Sequence, residues 1–192
     1  MRRLVLALLL LLPLQAAAQD TASLVADSLA ITGDTRLIAD GNVEVFFQGR
    51  RLKASRITFD QAAGTLEITG PIVLTDATGD NVILASQADM QADLTEGILT
   101  SARLVLNRQL QLSANQIMRV GGRYTALQTV AVSSCKVCAG DPTPLWEIRA
   151  RRVVHDEVER QIYFDNAVFR LAGIPVFYIP RLRMPDPTLD RA

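Results

Sequence analysis

Apolar and polar residues alternate along this chain with a period of two, in many short runs. Val43-Glu44-Val45, Ile57-Thr58-Phe59, Leu66-Glu67-Ile68-Thr69, Leu110-Gln111-Leu112-Ser113 and Trp146-Glu147-Ile148-Arg149 each place their apolar side chains on one face. That period predicts half-buried β-strands. Turn-forming residues separate the runs: Thr32-Gly33-Asp34, Asp40-Gly41-Asn42, Gln48-Gly49-Arg50, Ala63-Gly64, Gly70-Pro71, Gly79-Asp80-Asn81 and Gly121-Gly122. The best candidate for a 3.6-residue pattern beyond the N-terminus, Ala88 to Leu99, is broken by Thr95-Glu96-Gly97. The expected fold class is all-β.

The alternation is organised as a repeat. Copies open at Ala26-Asp27, Ala54-Ser55, Ala85-Ser86, Ala114-Asn115 and Ala150-Arg151, with spacings of 28, 31, 29 and 36 residues. Each copy reads as a short strand, a turn and a longer strand. Periods of this size mark stacked architectures. A single hairpin cannot bury its apolar face alone. Stacked hairpins give two facing sheets, a β-sandwich or an open, V-shaped jelly roll, whose terminal units expose strand edges. The inward set comprises Ile31, Val43, Val45, Ile57, Phe59, Leu66, Ile68, Leu104, Leu106, Leu110 and Leu112. These residues read either as a packed core or as the lining of a groove that holds acyl chains. Periodicity leaves both open, because both bury the same face.

The two ends of the chain read differently. Arg2-Arg3, the apolar stretch Leu4 to Leu14 and Ala16-Ala17-Ala18 form the three regions of a secretory signal peptide, residues 1–18. The stretch is well short of the roughly 20 residues a spanning helix needs. Residues 19–172 then form one β domain. Residues 173–192 carry prolines at 175, 180, 185 and 187 among apolar and aromatic residues. Proline donates no ladder hydrogen bond, so this segment reads as an extended linker that leaves the domain.

Charge and candidate chemistry narrow the function. The whole chain has 20 basic and 20 acidic side chains. That balance argues against a nucleic-acid partner, which calls for a basic surplus. Cys135-Lys136-Val137-Cys138 has the spacing of a thiol redox site, but Asp141-Pro142-Thr143-Pro144 follows and forbids the helix such a site needs. A structural zinc site needs four ligands, and His155 is the only other soft one. In an exported chain the two thiols read as disulfide partners, with each other or with cysteines elsewhere. His155-Asp156 reads as a solvated turn. No nucleophile, base and oxyanion set is visible, so the chain is expected to be no enzyme and to need no cofactor.

Ser134-Cys135, Trp146, His155-Asp156, Asn166-Ala167, Phe169 and the run Gly173-Ile174-Pro175-Val176-Phe177-Tyr178-Ile179-Pro180 with Pro185 together resemble the LPS-assembly protein family (LptD, also called OstA). The upstream repeats resemble the OstA-like module of LptA and LptC. The resemblance implies an OstA-like β-jelly roll on the periplasmic face of the cell outer membrane. Such a domain would accept lipopolysaccharide from an LptA-like bridge protein by edge-strand pairing and pass it to an outer-membrane β-barrel that holds the lipoprotein LptE. It implies disulfides between this domain and barrel cysteines, with Cys135 at the matching position and Cys138 an extra thiol in a close pair. It also makes Gly173, Pro175, Phe177, Tyr178 and Pro180 part of a connection to that barrel. The barrel is absent from this sequence, which is expected to be a fragment. The alternatives are a free-standing LptA/LptC-like bridge or scaffold module, and an exported thiol oxidoreductase using Cys135 and Cys138.

Overall fold

A computed structural model describes residues 22–107, 109–134 and 144–187. The expected signal peptide and Cys135 and Cys138 lie outside the described residues. Twelve strands follow in chain order: β1 (Ser23–Val25), β2 (Ser28–Thr32), β3 (Arg36–Phe47), β4 (Arg50–Asp60), β5 (Thr65–Thr75), β6 (Asn81–Gln91), β7 (Gly97–Leu106), β8 (Leu110–Val120), β9 (Tyr124–Ser133), β10 (Trp146–Asp156), β11 (Gln161–Leu171) and β12 (Ile174–Pro185). All pairings are antiparallel, and from β3 onward each strand pairs with its neighbours in sequence. β1 and β2 both lie along β3 and make up the first edge, while β12 makes up the last. Two-residue turns close the hairpins at Gln48-Gly49 and Ala172-Gly173, where all four residues have positive φ. That is the conformation whose twist matches the flanking strands.

One departure from period two shapes the molecule. Buried positions in β4 run Leu52, Ala54, then Ile57; in β6, Ile83, Ala85, then Ala88; in β8, Leu112, Ala114, then Ile117; in β10, Ile148, Ala150, then Val153. Each strand thus takes one step of three near its middle. An extra residue there bends the strand and turns the following side chains toward the first half. Ladder registers slip at these places, between Asp40 and Val43, Lys53 and Arg56, and Thr69 and Ile72. Asn42, Ser101, Thr129 and Asn166 take positive φ there. Aligned across the sheet, the bends form a fold line. The two halves of every long strand lie in opposite layers with their apolar faces together.

The sequence repeat marks this fold line and not the start of strands. Ala54, Ala85, Ala114 and Ala150 are all buried at the bend of every second strand, and Ala26 lies in the break between β1 and β2. A methyl group is what the inside of a sharp bend accommodates. Two expected turns prove to be bends as well. Asp40-Gly41-Asn42 lies inside β3 and Gly70-Pro71 inside β5. At Gly41, with φ of 78°, an added Cβ would sit 2.5 Å from Asp27 Oδ2. The Asp27 N–H donates to the Gly41 carbonyl at 2.8 Å, and Asn42 Nδ2 donates to Asp27 Oδ2 at 2.8 Å. At Gly70 an added Cβ would meet the Ser86 carbonyl oxygen at 2.6 Å, so the neighbouring backbone needs the missing side chain.

The proline-rich C-terminal segment also differs from its expected course. Residues 174–185 stay in the sheet and pair with β11 nearly end to end, including Arg181 with Asp165 and Met184 with Ile162. An edge strand has a ladder on one side only, so it tolerates prolines that a central strand would not.

Candidate functional site

The interior between the layers is lined by ladders of paired side chains. In one layer Val45, Leu52, Leu74, Ile83, Leu104, Leu112 and Val132 stand opposite one another from strand to strand. The ladder continues through Ile148 and Phe169 to Phe177. In the other layer a ladder runs from Leu29 in β2 through Ala39, Ile57 and Ile68, and ends at Phe164 and Leu182. Directly opposed side chains share a face, so each ladder is one apolar stripe crossing the whole sheet.

Of the eleven expected inward residues, Val43, Ile57, Leu66, Ile68, Leu104, Leu106, Leu110 and Leu112 are buried in one cluster, with Val45 and Phe59 packed against it. Ile31 differs: it is 76% exposed. It stands opposite Leu37, which stands opposite Phe59, so it lies on the inner face. It is uncovered because β2 is the end of the stack. Leu29 beside it is 57% exposed. At the far end Phe177 stacks on Phe169 with ring centroids 4.9 Å apart and is 50% exposed. Tyr178 lies exposed next to it and donates its hydroxyl to Asn166 Oδ1 at 2.6 Å. Gly173 serves the β11–β12 turn, where its carbonyl accepts from Arg170 Nη2, and Pro175 and Pro180 lie exposed within β12. The inner face therefore surfaces at both ends of the stack, on the ladders of Leu29 and Ile31 at the first and on that of Phe177 at the last.

One inner ladder changes character along its length. It begins apolar with Ile31, Leu37, Phe59, Leu66 and Met90, then presents Arg119, Thr125 and His155, all buried. The expectation of a solvated His155-Asp156 turn is corrected here. His155 lies two positions beyond Val153 and points inward by alternation, 2% exposed, with Nε2 2.5 Å from Asp186 Oδ2. Asp156 is equally buried. It accepts from Arg123 Nη2 at 2.6 Å and from the N–H groups of Val158 and Glu159, each at 3.0 Å. The Arg123 guanidinium and these backbone donors hold its carboxyl down to about 2. Alternation beyond Val153 carried this signal; the Asp186 partner, 31 residues away, left no local trace.

Between the layers, at the hairpin ends opposite the fold line, lies a cavity of about 210 Å³. Leu74, Ile83, Leu104 and Leu106 line it from one layer, and Arg119, His155 and Glu157 from the other. Two hydrogen bonds join the layers at this lip. Arg50 Nη1 donates to the Asp93 carbonyl at 3.3 Å, and Asn107 Nδ2 to the Pro187 carbonyl at 3.4 Å.

An open antiparallel sheet folded into two apolar-lined layers defines the chain as a β-jelly roll of stacked hairpins. Its curated relatives are LPS-assembly proteins LptD. The protein from Pectobacterium atrosepticum is 27% identical over 154 residues, 76% of this chain and 19% of the relative. That from Salmonella paratyphi A is 28% identical over 156 residues, with the same shares. That from Burkholderia ambifaria is 25% identical over 182 residues, 90% of this chain and 22% of the relative. The resemblance read from the residues is borne out, and the chain spans about a fifth of the length of these relatives. No family model matches it. Among solved structures, LptH of Pseudomonas aeruginosa, an LptA homologous periplasmic component of the lipopolysaccharide transport device, aligns at 13% identity and a TM-score of 0.27, covering 71% of this chain and 76% of that one. That likeness is too loose to carry the fold, which rests on strand order and register.

Proposed function

We propose that this domain takes part in lipopolysaccharide transport and outer-membrane assembly, carrying the acyl chains along the interior between its two layers. The observation that supports this reading is that inner-face ladders cross the sheet and surface at its ends, two of them at Leu29 and Ile31 on the first edge and one at Phe177 on the last. A core that only stabilised the fold would have no need to end uncovered. The layers must part by a few ångströms to admit a chain, and each methylene buried then contributes about 0.8 kcal/mol. The sugar head stays at the lip, in water. No covalent step is involved.

In this reading an LptA-like module pairs with β1 and β2 and delivers the lipid, and the β12 end passes it to an outer-membrane barrel associated with LptE. The domain then works on the periplasmic face of the outer membrane. Photo-crosslinking side chains at Phe59 and Leu106, read during active transport, test it. Lipopolysaccharide adducts at both positions are expected. Unlabelled lipid reaching the surface while both positions stay free of adduct overturns the groove.

A further inference from the structure

The cavity at the lip carries charged side chains that neither the fold nor the apolar groove calls for. Arg50 and Arg119 reach it from opposite layers, with Asp76, Asn81, His155 and Glu157 completing its polar wall. Arg119 is about nine-tenths buried, and its Nε has no hydrogen-bond acceptor. Among the described residues its ion-pair partner is Glu157, which lies 3.4 Å from Nη1 and also accepts from the Thr125 hydroxyl at 3.1 Å. Asp76 is held by its own turn, accepting from Gly79 N–H at 2.7 Å and from the Thr78 hydroxyl at 3.1 Å. Burial pulls Arg119 below the usual guanidinium range. Glu157 and Asp76 oppose that pull, and Arg50 across the cavity reinforces it. A buried cation that repels a second cation and keeps an unused N–H is short of an anion. Asn81 Oδ1 is the opposite case, a buried acceptor without a donor.

We propose that this cavity binds a phosphate-type oxyanion carried beside a hydroxyl, the chemistry of a phosphorylated sugar, with the oxyanion between Arg50 and Arg119 and the hydroxyl donating to Asn81. The space equals roughly seven waters at about 30 Å³ each, enough for the phosphate and part of a sugar ring. Guanidinium groups meet phosphate oxygens through two parallel N–H bonds, which a lone chloride cannot use as well. Such a ligand has two sources: a free sugar phosphate, or the phosphorylated head of a lipid whose chains lie in the groove. The second source rests on the proposed function; the anion site itself does not.

The test uses the whole chain and two variants, Arg50→Gln and Arg119→Gln. Arg50 is only half-buried, so its variant keeps the fold if the buried one fails. Glucosamine 1-phosphate is titrated against glucosamine at matched ionic strength, reading the melting temperature, since screening alone shifts exposed charges. Native mass spectrometry then compares retention of diphosphorylated lipid A with its dephosphorylated form. A saturable rise with the sugar phosphate only, weakened about tenfold or more in Arg50→Gln, supports the site with a free ligand. No response to the sugar phosphate, but retention of the phosphorylated lipid over the dephosphorylated one that disappears in Arg50→Gln, supports the site as a headgroup contact. Equal retention of both lipids with no sugar phosphate response overturns the anion site and leaves the groove standing. Failure to retain either lipid, with no sugar phosphate response, overturns both.

Discussion

The two edges of this sheet have opposite characters. The first edge is short and broken: β1 has 3 residues and β2 has 5, separated at Ala26-Asp27. It contains no proline, and Asp27 is its one charge. The last edge, β12, is 12 residues long and carries Pro175, Pro180 and Pro185 together with Arg181 and Arg183. Both edges expose apolar side chains, Leu29 and Ile31 on one, Ile174 and Phe177 on the other. Only the first keeps all of its backbone donors. Proline and inserted charge are the devices by which sheets refuse further strands. Side-chain exposure and backbone availability are thus separate properties of an edge. In the proposed reading the β1–β2 edge offers a proline-free ladder to a partner strand, whereas β12 offers apolar side chains beside a ladder broken by proline.

The largest effect comes from removing what both edges share. Phe164→Ala empties a fully buried position in an inner stripe and should cost about 3–5 kcal/mol. Leu29→Ala, on the same stripe but at its uncovered end, should stay within about 0.5 kcal/mol in urea unfolding. Equal costs would mean that the N-terminal end is covered in solution.

Next in size is the polar anchor of the turns that flank β10. The Asp156 carboxyl is held at about 2, below its ordinary 3.8. A depressed folded value contributes stability that is complete above the unfolded value and is lost as pH falls through about 2. Asp156→Asn should therefore lower the melting temperature at pH 6 by about 4–8 °C. The gap to the wild type should narrow between pH 4 and pH 2. A gap that stays constant down to pH 2 would assign the loss to packing and not to charge.

Smaller effects sharpen the contrast between edges. Ala30→Pro copies the C-terminal device onto β2 and should weaken capture of an LptA-like module about tenfold or more, with the circular dichroism unchanged. Replacing Pro175, Pro180 and Pro185 by valine should do the reverse, raising self-association of the domain in sedimentation velocity. If the valine variant stays monomeric, the two arginines alone suffice to protect that edge.

Much of this molecule is legible in its alternation. Leu66-Glu67-Ile68 and Leu110-Gln111-Leu112 already place the stripes and the all-β class, and the alanine spacing already marks the fold line. The bends themselves are harder to read. Asp40-Gly41-Asn42 and Gly70-Pro71 have the composition of chain-reversing turns, because residues that permit positive φ or interrupt a ladder serve a bend as well as a reversal. β12 reads as a linker because its three prolines exclude a central strand, and sequence alone does not say which strand is last. The polar lip was hidden for a different reason. Arg119, His155 and Asn81 are far apart along the chain, and only folding the sheet on itself brings them to one cavity.

In the proposed function the interior is a path with a direction, from the unprotected edge to the proline-bearing one. Photo-crosslinkers at Ile31 and Phe177, sampled over time after a pulse of labelled lipopolysaccharide, follow that path. Adducts are expected at Ile31 first and at Phe177 after a lag. Adducts at Phe177 that precede those at Ile31, or that form while Ile31 stays bare, would contradict it.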